Sequence, residues 1–243
     1  MTLQHAYIDG DILVHRAIWN SSRSDVKRKI NIAIVAIMEH LELPVGRIAI
    51  RGPDNFRKTR TNDYKANRKK DDDPKKLELM ILAYEHLKEH WGAEEATGME
   101  ADDLLAIWQT ETPGVIVSVD KDMLQVPGWH YNTRTNNYRE VSEEEASLLL
   151  HTQMLTGDST DNIKGLHGIG PVKAKRILAG VPAKNHLSHV RAAWQKHHGQ
   201  GWEAALQLCT DLVYLRRSEG DQYVISQAPR APQEGQVGEA TEC

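Results

Sequence analysis

Along the N-terminal half of the chain, apolar positions switch between the period of a strand and that of a helix. The short apolar run Ala6-Tyr7-Ile8 stops at Asp9-Gly10-Asp11 and predicts a first strand. From Asp25 to Leu43 apolar residues recur at helical spacing (Ile30, Ile34, Ile37, Met38, Leu41), and Pro44 follows. Arg47 to Ile50 alternates and is β-branched, which predicts a second strand. Pro74 is placed to open a helix running to about His90, with Leu77, Met80, Ile81, Tyr84 and Leu87 on one face. Glu100 to Gln109 reads as a short helix. Val115 to Val119 reads as an almost wholly apolar strand, the pattern of a parallel sheet buried on both faces. Strands alternating with helices predict an α/β fold, a sheet with helices on both sides.

From Ser142 onward the pattern changes. Short helices dominate, interrupted by the Gly-rich Gly165 to Gly170, and no comparable strand is expected before Tyr223-Val224-Ile225. The segment from Ser226 to Cys243 is rich in Pro, Gly, Gln and Glu and nearly free of bulky apolar residues, which predicts disorder over 226–243. The resulting division is a core over 1–141, a helical module over 142–225 and the tail.

At 243 residues the chain can bury a sizeable core, and its net charge of −4 does not point to a nucleic-acid partner. The charge is segregated, however. Arg57 to Lys70 holds Arg57, Lys58, Arg60, Lys65, Arg68, Lys69 and Lys70 against the single acid Asp63. With two cysteines, Cys209 and Cys243, neither a disulfide framework nor a Cys-ligated zinc site is expected, and a reducing compartment fits. No secretory signal and no stretch long enough to span a bilayer is visible, so the chain reads as soluble and intracellular, with no membrane partner.

The acids fall where chemistry would need them. Asp9 and Asp11 follow the first strand, Glu100, Asp102 and Asp103 start a helix, Asp120 and Asp122 follow the strongest strand, and Asp158 and Asp161 precede the glycine turn. Functional groups of open α/β sheets collect outside the carboxyl ends of the strands. Acids converging there would repel one another unless cations neutralised them, and an all-oxygen ligand set favours Mg²⁺ or Mn²⁺. Two such ions ~4 Å apart can activate a water and stabilise the leaving oxygen of a phosphodiester. Each pair taken alone is equally a helix cap or a solvated turn, and acids at a helix start complement its dipole. Their joint occurrence favours the metal reading. Among twelve histidines one pair, His86 and His90, has H-x-x-x-H spacing, but no H-E-x-x-H occurs, which argues against a histidine metal site.

Arg57, Lys58, Lys65 and Arg68 could grip phosphates, with Tyr64 stacking on a base, or could form a solvated charged face. One of these cations near the metals could stabilise charge on a scissile phosphate. Gly165-Leu-His-Gly-Ile-Gly-Pro-Val-Lys-Ala-Lys resembles a helix–hairpin–helix turn. Gly165, Gly168 and Gly170 would let backbone amides approach a phosphate, with Lys173 and Lys175 immediately behind them.

In order, the chain carries Asp9-Gly10, Phe56-Arg57 with Tyr64-Lys-Ala-Asn-Arg68, Glu100-Ala-Asp-Asp103, Ser118-Val-Asp-Lys-Asp122, Gly157-Asp-Ser-Thr-Asp-Asn162 and the Gly165 to Ala174 turn. Over residues 6 to 180 this order resembles the 5′-3′ exonuclease and flap endonuclease family. The resemblance implies a PIN-like, mostly parallel sheet flanked by helices, a helix–hairpin–helix-type DNA-binding module and a helical arch over about 57–90. It implies two Mg²⁺ ions, replaceable by Mn²⁺, held by Asp9, Glu100, Asp102, Asp103, Asp120, Asp122, Asp158 and Asp161. It also implies a K⁺ at the glycine turn, and Lys65 and Arg68 on the scissile phosphate, acting with Asp102 and Asp120. The substrate implied is DNA with a free 5′ end, a flap or a nick, cut by a cytoplasmic monomer in phage or bacterial replication.

The chain departs from the family at one position. The family usually places an aspartate directly at the end of the second strand, where this chain reads Ile50-Arg51-Gly52 and the nearest acid is Asp54. Either Asp54 reaches the cleft or another acid, such as Asp11, takes that place. Two rival classes are a PIN-type ribonuclease, against which the glycine turn argues, and a DNA-binding module without catalysis, against which the retained acids argue.

Overall fold

The strand β1 (Ala6–Asp9) is buried along its whole length, and Asp9 at its end also caps the helix α1 (Gly10–Ile18) that starts at once. In the computed structural model, which describes residues 3, 5–68 and 73–226, this strand lies at the centre of a six-stranded sheet. A Cβ on Gly10 would lie 2.5 Å from the Ile50 side chain and 2.8 Å from the Ala49 carbonyl, so only glycine lets α1 start this close to the neighbouring strand. Helix α2 (Arg23–Leu41) opens on a Ser22/Asp25 capping box and buries Val26, Ile30, Ile34 and Ile37, one face at helical spacing. Strand β2 (Val45–Ile50), the short helix α3 (Phe56–Arg60) and helix α4 (Pro74–Trp91) follow. Pro74 stands in the first turn of α4, and Gly92 ends that helix in the left-handed conformation.

Strand β3 (Glu94–Glu95), helix α5 (Ala101–Glu111) and strand β4 (Val115–Val117) complete the parallel part together with β5 (Gly128–Asn132). The order is β3-β2-β1-β4-β5-β6, and β6 (Asn137–Val141) alone runs antiparallel, as a hairpin with β5. The chain therefore builds outward from β1 to β3 and then restarts on the other side at β4. This is a topological switch point at the carboxyl ends of β1 and β4. Alternation along β1 sends Ala6 and Ile8 into the core under α1, α2 and α4, and Tyr7 into a second core under α5.

The remaining helices, α6 (Glu143–Thr156), α7 (Pro171–Leu178), α8 (His186–His198) and α9 (Trp202–Val213), enclose a third core, with a two-stranded ribbon β7 (Gly157–Asp158) and β8 (Ile163–Lys164) at its edge. Tyr64 packs into this third core and α3 contacts α9, so the segment after β2 is tied to both parts.

Helix α4, within the expected arch over about 57–90, has Leu79, Met80, Ala83 and Leu87 buried against the main core. Tyr223 to Ile225 is not a strand: Gln207 donates to the Tyr223 carbonyl and accepts from the Ile225 N–H, replacing a strand partner. The β5–β6 hairpin had no counterpart in the sequence reading. Of the expected disordered tail all but Ser226 lies outside the described residues, as do Lys69 and Lys70.

Candidate active site

The switch point fixes where the acids meet. Asp9 accepts from the Ile12 N–H at 3.3 Å and from the Ser118 hydroxyl at 2.9 Å. Asp11, in the first turn of α1, accepts from the Arg51 N–H and the Tyr84 hydroxyl, both at 3.1 Å. Glu100 is the N-cap residue of α5, and Asp102 lies in the first turn of that helix. Asp120 lies just past β4 and accepts from the Asp122 N–H at 2.9 Å, capping a 3₁₀ turn over Lys121–Gln125. Asp122 accepts from the Gln153 amide at 2.8 Å, and Asp158 at the end of β7 accepts from the Thr160 N–H at 2.7 Å. All of these, with Asp54 and Asp161, line one cleft of about 660 Å³.

Burial raises the Asp9 carboxyl, the charges of Asp11 and Asp120 add to it, and hydrogen bonds from Ser118 and Ile12 oppose it. The result is a pKa pushed up to about 7. Asp122 is likewise raised to about 7, by burial first and then by Asp120 and Asp158. Asp102 is raised by burial and by Asp9, Asp120 and Glu100, against a smaller opposing effect of Lys65. Among the described residues none donates a hydrogen bond to Asp102. These carboxylates are gathered but not closed on one point, since among the described residues no three acid, His or Cys groups are placed to hold one ion.

Asp103 is different and corrects an expectation. It is fully buried, and both its oxygens accept from Arg57, at 2.5 and 2.8 Å, with further bonds from the Glu100 and Arg216 N–H groups. Burial alone would raise it, but Arg57 and these donors hold it below the usual carboxylate range. Its lone pairs are spent, so it is not a metal ligand. Arg57, 1% exposed, also donates to the Leu212 and Tyr214 carbonyls and cannot reach DNA. The Tyr64 ring is buried too, with its hydroxyl donating to Glu100 at 2.8 Å, so it offers no stacking face.

The other expected cations face the cleft. Lys65 pairs with Glu100 and lies 3.5 Å from Asp161, Arg68 pairs with Asp161, and Lys58 is exposed on the lining. Lys65 holds a left-handed backbone (φ 58°), and its N–H donates to the Asp161 carbonyl at 2.8 Å, which docks the 61–68 segment on the β7–β8 ribbon. Asp54 is exposed at the rim, held by the Gly98 N–H at 2.8 Å.

The glycine turn lies outside the cleft, between β8 and α7. Gly168 alone of its three glycines has a positive φ (74°), while Gly165 is required by close packing, a Cβ there falling 2.1 Å from the Thr156 backbone. The Gly168 carbonyl accepts from the Lys173 ammonium at 2.9 Å and the Leu166 carbonyl from the Ile169 N–H, and Lys175 is exposed.

Ser118, Tyr84, Gln153, His15 and Arg51 line or support the cleft and were not singled out by sequence reasoning as functional. Ser118 stands two residues before Asp120, a usable signal. Tyr84 reads as one more core position of α4, and nothing local marks Gln153.

Compared with known proteins, residues 5–148 match the family model described as 5′-3′ exonuclease, N-terminal resolvase-like domain. A Flap endonuclease Xni of Shewanella oneidensis is 33% identical over 138 residues, covering 51% of this chain and 52% of that protein. A Flap endonuclease Xni of Shewanella sp. (strain MR-4) is 33% identical over 182 residues, covering 65% of this chain and 70% of that one. The chain thus spans about half the length of the first of these relatives. Among solved structures, the T5 5′-exonuclease with bound divalent metal ions (zinc) shares the fold with a TM-score of 0.64 at 19% identity, over 86% of both chains.

Proposed function

The chain belongs to the 5′-3′ exonuclease family, and on that premise we propose that it is a divalent-metal-dependent 5′ nuclease. It hydrolyses DNA phosphodiester bonds at or near a free 5′ end, at a flap, nick or duplex terminus, with Mg²⁺ as its ion. One observation carries the reading. Acids are crowded and buried at the switch point of a parallel sheet, so that burial first and mutual repulsion second raise Asp9 and Asp122 to about 7. A protein retains such repulsion where cations relieve it.

The donor set is all carboxylate oxygen and suits a hard cation. Asp9, Glu100, Asp102, Asp120, Asp122, Asp158 and Asp161 would hold the ions, with Asp54 at the rim. Once bound, they supply Lewis acidity that makes water a nucleophile at neutral pH and takes up charge on the leaving oxygen. The chain's own residues do the rest. Ser118 orients Asp9, and Tyr84 orients Asp11. Lys65 and Arg68, held over the cleft by Glu100 and Asp161, donate to the non-bridging oxygens of the scissile phosphate as charge builds there. Gly168 and Gly170, with Lys173 and Lys175, grip duplex phosphate away from the cut without reading sequence. A K⁺ on the carbonyls of that turn, as the resemblance implies, would add to this grip. No described helix is long and apolar enough to cross a membrane, and a monomer working on replicating DNA in a bacterial or phage-infected cytoplasm completes the proposal.

The test is digestion of 5′-labelled flap, nicked and blunt duplexes, and of an RNA counterpart, with Mg²⁺ and with EDTA. Release of labelled short products from DNA with Mg²⁺ alone is expected. Cleavage that survives EDTA, or that is confined to RNA, contradicts the proposal.

A further inference from the structure

The cleft has a second character at the end bounded by β2, α1 and α4. Arg51 follows β2 at the position where the family resemblance expects an aspartate. It is exposed on the cleft lining, its guanidinium lies 5.0 Å from the centre of the Tyr84 ring, and among the described residues no carboxylate pairs with it. Its backbone is fixed by the N–H bond to Asp11, which also takes the Tyr84 hydroxyl. His15 of α1 lines the same end. The charges of Arg51, Lys76 and Arg68 act on it, after the larger effects of burial and of Asp11. Three elements are thus tied into a wall that carries a stacked guanidinium with its N–H fork unspent.

We propose that Arg51, with His15 beside it, binds the 5′-terminal phosphate of the strand being cut, so that the cleft selects 5′-phosphorylated ends. The inference rests on the nuclease reading and adds a substrate class to it. A terminal phosphate carries close to two negative charges at neutral pH where an internal one carries a single charge. A guanidinium fork pairs with it through two parallel hydrogen bonds. Stacking on Tyr84 holds the fork in place and lowers the ordering cost of binding.

The test is single-turnover cleavage, with enzyme in excess of DNA but well below saturation and with Mg²⁺, of two duplexes identical except for a 5′-phosphate or a 5′-hydroxyl. Wild type should cut the phosphorylated end about tenfold faster, the factor expected of one charge-assisted pair. Arg51→Ala should bring that ratio close to one. Arg51→Lys, which keeps the charge without the fork and guards against misfolding of the alanine variant, should retain part of it. A ratio of one in wild type, an unchanged ratio in Arg51→Ala, or equal slowing of both substrates, as an internal phosphate contact would give, overturns the assignment alone. No cleavage of either duplex overturns the nuclease reading, and this inference with it.

Discussion

Asp102 and Asp103 are neighbours in the first turn of α5, one turned to the cleft and the other to the interior. Asp103 meets a guanidinium and two backbone donors and is held ionised, whereas Asp102 meets Asp9, Asp120 and Glu100 and is pushed towards its neutral form. The same side chain is a cross-link in one place and a charge awaiting a counter-ion in the other. A buried acid is tolerated when it is paired, and an unpaired one costs stability. The first arrangement fastens α5 to α3 and to the end of α9 through Arg57. The second is the part that, on the proposed reading, a cation would complete.

Breaking the paired side should give the largest effect. Arg57→Ala leaves Asp103 buried without its partner and should cost about 3–5 kcal/mol in urea unfolding. The double variant Arg57→Met/Asp103→Leu should recover much of that loss. A single variant within about 1 kcal/mol of wild type would mean the pair is not a cross-link.

On the unpaired side the effect should move from stability to rate. Asp102→Asn should lower Mg²⁺-dependent cleavage by at least about a hundredfold while leaving the metal-free protein as stable or more so. If it unfolds the protein and keeps full activity per folded molecule, the comparison is inverted.

Lys65→Ala separates the cations that face the cleft from Arg57, which faces inward. The chemical step should slow about a hundredfold at saturating enzyme, with little change in affinity. A wild-type rate once binding is saturated would reduce Lys65 to a tether.

The smallest effect is the pH profile of the metal-free protein. Asp9 and Asp122 have folded pKa values near 7, well above the unfolded value of about 3.9, so the folded state binds more protons between these limits. Their contribution favours the fold at low pH and is lost as pH rises towards 7 and beyond. The melting temperature without metal should therefore drop by a few degrees from about pH 5.5 to pH 8, at roughly 2–4 °C per kcal/mol, and Mg²⁺ at pH 8 should restore it. Asp103 acts in the opposite sense but only at more acid pH, because its folded pKa is lowered. A flat profile would contradict the picture of repelling acids.

Much of this was legible in the sequence. Strands β1, β2 and β4 and helices α2, α4 and α5 follow from period and caps, because buried faces and capping boxes are local signals. That Asp9, Asp102, Asp120 and Asp122 share a cleft follows from their places after strands and at a helix start. Partnership was not legible. Nothing in Glu100-Ala-Asp-Asp103 says which aspartate turns inward, since Arg57 is 46 residues away and the choice is made by tertiary packing. The inward turns of Arg57 and Tyr64 were hidden for the same reason, as a basic run looks solvated until one of its members is buried. The β5–β6 hairpin eluded the pattern because its turn, Asn132 to Asn137, is polar and its strands are only half apolar.

The most direct test of the contrast between the two aspartates is calorimetric titration of the metal-free protein with Mg²⁺ near pH 7, in two buffers of different ionisation enthalpy. The account predicts binding that releases protons from the raised cleft acids, lost or strongly weakened in Asp102→Asn. Binding of equal strength in Asp102→Asn, or binding without proton release, would contradict it.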